Sequence, residues 1–372
     1  MTSRANRIAR AASCAALFAL VAAACGGDDG DEDASAITGQ GSGAGQTTAG
    51  GEGDETCGAD PGLVAAAQEE GEVVLFGGGH TREGGEAVAE MFEDAYGISV
   101  TVNRQPSGDV IQQVEASLEA GAVVADVVSL ADVSTFIRWD EEGIITDAEV
   151  PNVDQLIDGI VDPSRASLPY AVSPLGIVYN SARTDPSEAP TSWAEFSDLG
   201  GKVLAHANPS TSGTALSFMY MAAKAAGDAY YDGFKGQDIL ITDSALALNQ
   251  LVLTGEADYG APAIEAEVAR AKANGEPLEI IYPSEGVPVF SSELAALTEA
   301  PHPNAAKLLV QYTCCEEYQE NVAELGGRPA LVGVASPEGL PDMADWTIVT
   351  VDVNELGTRR DALVQQFEAI TA

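Results

Sequence analysis

Short apolar strands alternate with amphipathic helices from Pro61 onward, and this alternation limits the possible folds more than any other feature of the chain. The first series predicts, in order, a helix over 61–70, a strand over 72–76, a helix over 82–96, a strand over 98–103, a helix over 109–120, a strand over 125–129 and a helix over 131–141. Such alternation builds a parallel sheet, because each helix returns the chain to the same end of the sheet.

A second series of the same kind predicts a second lobe. It comprises a strand over 202–205, helices over 213–226, 228–235 and 244–254, a strand over 257–260, a helix over 262–274 and a strand over 278–282, with later helices over 304–325 and 355–370. About 310 residues carry the pattern, which is more than one hydrophobic core usually serves. Residues 168–180, taken as two short strands with a Ser-Pro break, and 286–291 are candidates for crossing between lobes. We expect lobe 1 to comprise 61–172 and 285–345, and lobe 2 to comprise 173–284 and 346–372.

The N-terminus is typical of an export signal. Arg4, Arg7 and Arg10 precede a short apolar run that ends in three alanines at 22–24, directly before Cys25. The run is too short to span a bilayer, which takes roughly 20 apolar residues, and no longer run follows. The alanines and Cys25 resemble a bacterial lipobox, which implies removal of residues 1–24 and a diacylglycerol on Cys25. An ordinary signal peptide with an incidental cysteine is the alternative.

Residues 25–60 are acidic and rich in Gly, Ser and Thr, which predicts a flexible tether that reaches roughly 30–35 Å. With the lipid, this tether would hold an exported domain at the outer face of the cytoplasmic membrane. Contact with the membrane is expected through the lipid alone.

The formal net charge of −41 restricts the possible partners. Such a surface repels nucleic acid and anionic headgroups. Adaptation to a saline medium and attraction of a cationic ligand both account for the acidity, and its even spread along the chain favours the first.

Three cysteines are candidates for disulfides in an oxidising compartment: Cys57, Cys314 and Cys315. A bond from Cys57 to either Cys314 or Cys315 would connect the start of the folded part to a late helix. A strained bond between the two adjacent residues is less favoured.

The sequence gives little support to catalysis. It contains three histidines, at 80, 206 and 302, and it lacks a nucleophile-elbow motif, a phosphate-binding Gly-Lys-Ser/Thr loop and a His-Glu-x-x-His motif. We therefore predict a protein that is not an enzyme and that holds no metal or cofactor.

The best candidates for a site are loops between strand ends and helix starts, where open parallel sheets bind ligands. The candidate residues in these loops are His80, Ser107, Gly108, Ser129, Ser210, Thr211, Ser212, Gly213 and Thr214. The loop at 208–214 places hydroxyls and free backbone amides at a helix start, an arrangement that suits an anion as well as simple capping.

Several short motifs occur in an order that resembles the extracellular solute-binding proteins of bacterial ABC importers, in particular the ferric-ion and phosphonate-type branch. They are FGGGHT (76–81), ADVV (125–128), GII (143–145), PLGIVYN (174–180), PTSWAEF (190–196), GKV (201–203), PSTSGTA (209–215), GEAD (255–258), YPSEG (282–286) and PNAAK (303–307). The resemblance implies a two-lobed, periplasmic-binding-protein-like (type II) α/β fold. Each lobe would be a mostly parallel sheet flanked by helices, and crossing strands would join the two.

The same resemblance argues against bound iron. Ferric members hold iron with a histidine, a glutamate and a pair of tyrosines. His80 falls on the histidine position, but Leu130 lies near the glutamate position and Glu265-Ala266 on the tyrosine pair. Tyr230 and Tyr231 precede that segment and are interpreted as packing residues.

The resemblance also extends the set of site residues. Ser173 replaces an arginine that supports an anion in the family, and Asp243 lies beside the anion loop. Asp243 and Glu265 are expected to face the cleft. The implied ligand is a small polar organic solute, such as an aminophosphonate, a polyamine or a sugar phosphate, with ferric iron less favoured.

The overall prediction is a monomeric substrate-binding component that delivers its ligand to an ABC-transporter permease. A ferric-ion-binding protein with altered ligands is one alternative. A secreted enzyme or a sensor on the same fold is another.

Overall fold

The structure is a computed structural model that describes residues 57–157, 166–227 and 229–371. The predicted signal peptide, Cys25 and residues 26–56 of the predicted tether lie outside the described residues.

Helices and strands alternate in the described chain as the sequence predicts. The helices are α1 (Pro61–Glu70), α2 (Arg82–Tyr96), α3 (Ser107–Glu119), α4 (Val133–Glu141), α5 (Trp193–Ser197), α6 (Gly213–Ala226), α7 (Ala229–Gly233), α8 (Leu248–Thr254), α9 (Glu265–Ala273), α10 (Pro303–Thr313), α11 (Glu316–Glu324) and α12 (Val353–Thr371). The strands are β1 (Glu72–Gly77), β2 (Ser99–Arg104), β3 (Val127–Leu130), β4 (Ile145–Thr146), β5 (Leu168–Asn180), β6 (Val203–Ala207), β7 (Asp238–Thr242), β8 (Tyr259–Ile264), β9 (Leu278–Ile281), β10 (Val287–Leu297) and β11 (Ile348–Val349).

Two mostly parallel groups of strands form the two halves of the molecule. In the first half, β1 pairs in parallel with β2 and β3. In the second half, β6 pairs in parallel with β7 and β8. Each half has its own apolar cores, because the helices that connect its strands bury their apolar faces against its sheet. The α/β architecture in two lobes agrees with the sequence-based expectation.

Strands β5 and β10 connect the halves. They pair antiparallel with each other, while β10 also pairs with β3 in the first half and β5 pairs with β8 and β9 in the second. The predicted break in residues 168–180 is wrong, because β5 is one continuous strand. Pro174 lies where β5 changes partner from β10 to β8, and a missing backbone N–H is tolerated at such a position.

Two further predictions fail for local reasons. Strand β7 was not predicted, because it lies at the edge of its sheet and its DILIT segment is half exposed and carries little alternation. The predicted single helix over 304–325 is in fact two helices, α10 and α11, separated at Cys314 and Cys315.

Within the described residues no helix has the length and apolar character needed to cross a bilayer.

The break between α10 and α11 places Cys315 next to Cys57. The two residues form a disulfide across a sequence separation of 258, while Cys314 is buried as a free thiol. Burial raises the pKa of the Cys314 thiol to about 12, so this thiol stays protonated and unreactive. The disulfide joins the start of the described chain to the first half of the molecule.

Removal of this disulfide is expected to destabilise the protein by about 2–4 kcal/mol, because the bond closes a long loop in the unfolded chain. Cys315→Ala should lower the denaturant midpoint and remove the Cys57 cross-link from non-reduced peptide maps. Cys314→Ala serves as the control and should keep the cross-link. A cross-link that persists in Cys315→Ala would show that Cys57 pairs with Cys314.

His206 lies inside the second half of the molecule. Its Nδ1 donates to the carbonyl of Ala207 at 2.7 Å, and its ring packs 4.9 Å from that of Phe367 and 5.6 Å from that of Phe218. Burial lowers its pKa to about 4, against a smaller opposing effect of the Ala207 hydrogen bond. The unfolded chain therefore binds a proton near pH 6.5 that the folded chain takes up only near pH 4.

This difference predicts that stability decreases as the pH falls from 6.5 toward 4. His206 alone should contribute about 1.4 kcal/mol per pH unit across that interval. In urea unfolding at pH 7 to 4.5, His206→Phe should keep the packing and show a shallower loss of stability than the wild type. His302→Asn is the control with the opposite sign. A hydrogen bond to Asp126 raises the pKa of His302, so the contribution of His302 to stability is lost as the pH rises. Parallel pH profiles for His206→Phe and the wild type would contradict the prediction.

Candidate functional site

A cavity of about 100 Å³ lies between the two halves, where β5 and β10 cross. Its wall includes four charged side chains and two stacked rings, from Glu83, Arg104, Glu267, Arg270, His80 and Tyr170. Six of the predicted site residues also line it: His80, Ser107, Ser173, Ser212, Gly213 and Thr214. The loop at the carboxyl end of β1 and the starts of α3 and α6 therefore meet at one place, as open α/β sheets lead one to expect.

His80 is a buried, neutral member of this wall. Its Nδ1 lies 2.7 Å from Ser129 Oγ, and its ring stacks on Tyr170 with centroids 4.1 Å apart and planes 3° from parallel. Burial, and then the positive charge of Arg104, lower its pKa to about 3, so the imidazole is uncharged at neutral pH. Ser129 does not line the cavity and holds the loop instead, because its carbonyl accepts the amides of Gly78 and Gly79 at 2.7 and 2.9 Å.

Arg104, at the end of β2, is a half-buried cation in the cavity. Its Nε donates to the carbonyl of His80 at 3.1 Å. No carboxylate of the described residues forms an ion pair with Arg104, although Glu267 is close enough to raise its pKa against the lowering effect of burial. A guanidinium in this position can bind an anionic group from outside the chain by donating hydrogen bonds to it.

The start of α6 adds backbone donors to the same cavity. Ser212 caps the helix by accepting the amide of Ala215 at 3.2 Å. The amides of Gly213 and Thr214 lie in the first turn and have no carbonyl of their own helix to bond. Their position at the positive end of the helix dipole suits an anion.

The acidic side chains of the cavity are already engaged. Arg270 Nη1 lies 2.8 Å from Glu83 Oε1, and the other terminal nitrogen of the same guanidinium pairs with Glu267. Burial raises the pKa of Glu267. Because Glu83 is on α2 and Arg270 is on α9, this cluster spans the two halves of the molecule.

Backbone contacts close the cleft beside the cavity. The amide of Gly108 donates to the carbonyl of Thr211 at 3.0 Å, and Ser217 Oγ donates to the carbonyl of Ala131 at 3.2 Å. A Cβ at position 213 would lie only 2.6 Å from the backbone nitrogen of Asp132. The described structure therefore represents a closed arrangement of the two halves.

Besides Ser129 and Glu265, four of the predicted residues lie outside the cavity wall. The backbone of Gly108 contacts the opposite half of the molecule, and Ser210 is exposed with its hydroxyl directed at Asn208. Thr211 Oγ1 donates to the carbonyl of Asp243 at 2.8 Å. The expectation that Asp243 faces the cleft is wrong, because its neighbour Ser244 lines the cavity while Asp243 is exposed.

The structure also corrects the expectation that Glu265 faces the cleft. Its buried carboxylate accepts from Arg328 Nε at 2.6 Å, Arg328 Nη2 at 3.1 Å and the Tyr282 hydroxyl at 2.6 Å. The residue begins α9, and the next two residues of that helix, Ala266 and Glu267, line the cavity instead. Glu265 therefore fixes α9 in place and lies outside the cavity wall.

Sequence reasoning missed Arg104, Tyr170, Glu267 and Arg270. Arg104 could have been noticed as one of only 17 basic residues, at the end of a predicted strand. The other three give no such signal, because only the tertiary structure turns them toward the cavity. Tyr230 and Tyr231 are buried in the core of the second half, as the packing interpretation predicts.

Among the residues that the structure describes, no group of three or more His, Cys, Asp or Glu side chains is arranged to hold a metal ion. Near the position where a ferric site would need a carboxylate, Leu130 is fully buried. The cavity offers hydrogen-bond donors, a cation without an ion pair to the described residues, and stacked rings.

Two lobes that close on a polar cleft define the class of solute-binding proteins. The model of the family described as bacterial extracellular solute-binding protein matches residues 87–349. The chain belongs to this family. The assignment confirms the predicted class, a substrate-binding component of an ABC importer, and agrees with an exported protein that delivers its ligand to a permease.

Known proteins resemble the chain at low sequence identity. A Haemophilus influenzae protein described as uncharacterized is 24% identical over 300 residues, which cover 76% of this chain and 86% of that protein. The periplasmic binding protein AfuA from Actinobacillus pleuropneumoniae, solved with exogenous fructose-6-phosphate bound, has a TM-score of 0.73 at 23% identity over 81% of this chain and 98% of its own. Iron-bound HitA from Pseudomonas aeruginosa has a TM-score of 0.68 at 20% identity over 79% and 98% of the two chains. These similarities confirm the periplasmic-binding-protein-like fold.

The buried pair of Glu265 and Arg328 predicts a large effect on stability. Glu265→Gln leaves the Arg328 charge buried without a carboxylate and should lower the free energy of unfolding by about 3–5 kcal/mol. Glu279→Gln is the control, because its pair with Lys272 lies at the surface and contributes about 1 kcal/mol or less. Equal effects of the two substitutions in urea unfolding would contradict the prediction.

Proposed function

We propose that the cleft binds a small organic solute through a phosphate, phosphonate or carboxylate group that lies against Arg104. The observation that carries this proposal is the unpaired, half-buried guanidinium of Arg104 in a chain with a net charge of −41. Acidic residues are plentiful, yet none of those described forms an ion pair with this cation. Guanidinium groups bind such oxyanions through paired, charge-assisted hydrogen bonds.

The start of α6 supports the same ligand class from the opposite half of the molecule. The first-turn amides of Gly213 and Thr214 would donate hydrogen bonds to oxygens of the anion that face away from Arg104. One anionic group would then bridge the two halves. Its differential affinity for the closed arrangement would favour closure, which is the way two-lobed binding proteins capture ligands.

The charges in the cavity discriminate among the solutes expected from the sequence. A sugar phosphate or an aminophosphonate places its anion against Arg104, whereas a polyamine needs an available carboxylate. Arg270 engages Glu83 and Glu267, and Arg328 engages Glu265. AfuA was solved with a sugar phosphate, fructose-6-phosphate, which supports this order of preference. Ferric iron is not favoured, because in the described part of the chain no metal-binding group of His, Cys, Asp or Glu includes His80, and Tyr230 and Tyr231 are buried in the core of the second half.

The remaining parts of the proposal concern location and assembly. We infer a lipid anchor at Cys25, a tether to the outer face of the cytoplasmic membrane and a monomer that meets its permease with both lobes. The lobe boundaries proposed from the sequence, 61–172 with 285–345 and 173–284 with 346–372, remain part of this proposal. No chemical step is proposed for the cleft, because Ser129, whose hydroxyl lies beside the neutral His80, does not line the cavity.

A ligand screen tests the proposed class. In thermal-shift measurements on the full chain, phosphate esters, phosphonates and carboxylates should raise the melting temperature, and spermidine should not. A ligand at 100 times its Kd adds about 2.7 kcal/mol of stability.

Arg104→Gln should weaken the affinity for the best anionic ligand by about 10- to 100-fold, since hydrogen bonds to charged groups contribute about 1.5–3 kcal/mol.

Arg138→Gln is the matched control, because Arg138 is an exposed arginine paired with Glu115 and Glu142. It should leave the affinity unchanged. Binding of spermidine, or anion binding that Arg104→Gln leaves intact, would contradict the proposal.

A further inference from the structure

Two buried polar atoms in the cavity wall form no hydrogen bond of good geometry with the described residues: His80 Nε2 and the Tyr170 hydroxyl, which lies near the Ser129 and Ser292 hydroxyls. The two side chains are 1% and 5% exposed, and both line the cavity. A buried polar atom without a hydrogen bond is destabilising, and native proteins keep few of them. Two such atoms on stacked rings in a ligand cavity therefore indicate a place that a ligand completes.

Neither group carries a charge at neutral pH. Burial and Arg104 keep the imidazole of His80 neutral. Burial raises the pKa of the Tyr170 phenol, and the nearby Ser292 and Ser129 hydroxyls and Arg104 oppose that rise only in part. The Tyr170 hydroxyl therefore remains protonated, and the pair offers hydrogen bonds without attracting a second ionic group.

The hydrogen bonds around His80 specify what kind of group fits. Ser129 Oγ accepts the amide of Gly79 at 3.3 Å, which leaves its proton free to point at His80 Nδ1. His80 Nε2 then carries the ring proton and acts as a donor. A ligand hydroxyl can accept from Nε2 and from the Tyr170 hydroxyl, and it could also donate to Nε2 in the other tautomer.

The proposed anion position lies directly beside this pair. Arg104 Nε donates to the carbonyl of His80, so the guanidinium and the imidazole belong to adjoining parts of one wall. We propose that His80 Nε2 and the Tyr170 hydroxyl form a neutral subsite for a hydroxyl group of the ligand, next to the anion at Arg104. The ligand class is then a hydroxylated anion, such as a polyol or sugar phosphate. This inference rests on the proposed function.

Three probes separate the two subsites: inorganic phosphate, n-propyl phosphate and glycerol 3-phosphate. Calorimetry on the full chain should give a Kd for glycerol 3-phosphate about tenfold or more below that for n-propyl phosphate, because only the former carries hydroxyls. Tyr170→Phe should reduce this ratio toward one. His80→Phe, which keeps the stacked ring, should act in the same direction.

Tyr312→Phe is the matched control. Its hydroxyl is also buried without a partner among the described residues, but its ring packs against Phe92 and Tyr96 in the core, away from the cavity. This variant should keep the wild-type ratio, so a general effect of losing a buried hydroxyl can be recognised.

The outcomes distinguish the two proposals. Equal affinity of wild type for n-propyl phosphate and glycerol 3-phosphate would overturn the neutral subsite and leave the anion site standing. A ratio that Tyr170→Phe and His80→Phe both preserve would do the same. Failure of all three phosphates to bind, in a chain that remains folded, would overturn this inference, and failure of the phosphonates and carboxylates of the ligand screen as well would overturn the proposed function.

Discussion

The antiparallel pairing of β5 with β10 is the constraint on which the rest of the structure depends. Each strand is long enough to take part in both halves, and their register aligns Leu168 with Leu294 and Pro174 with Val289. The cavity lies where these strands cross, and Tyr170, Ser173, Phe290 and Ser292 in its wall are residues of the two strands. A change in their twist therefore moves the two halves and reshapes the site in the same motion.

The electrostatics of the cleft depend on which ions the protein pairs internally. Arg270 and Arg328 have carboxylate partners, and Arg104 has none among the described residues. In a chain so rich in acid, a cation in the cleft without such a partner is available to a ligand. The same reasoning explains why the two glutamates of α9 are poor candidates for binding a cation, since both hold arginines of the protein itself.

The sequence predicted regular structure best where residues mark the ends of elements. Helices α1, α2 and α6 have the predicted bounds, because Asp60, Thr81 and Ser212 cap their starts and Gly71, Gly97 and Gly227 follow their ends. Edge strand β7 lacks such marks and a fully buried face, so its pattern was too weak to detect.

The site was predictable at the level of loops but not of side-chain direction. The loops after β1 and before α3 and α6 do meet at the cavity, because parallel strands end at one edge of a sheet. For Asp243 and Glu265, the sequence identified the right segment but the wrong residue. The cavity is lined by Ser244, one residue after Asp243, and by Glu267, two residues after Glu265. Sequence spacing alone does not resolve such small rotations.

Two glycines at the contact between the halves have a consequence for how affinity can change. A Cβ at Gly108 would lie 2.7 Å from the carbonyl oxygen of Ser210, and one at Gly213 would lie 2.6 Å from the nitrogen of Asp132. A single methyl group at either position would act as a wedge, because backbone atoms stand where it would have to go. At Gly108, which does not line the cavity, ligand retention can thus be tuned with every group that touches the solute left unaltered.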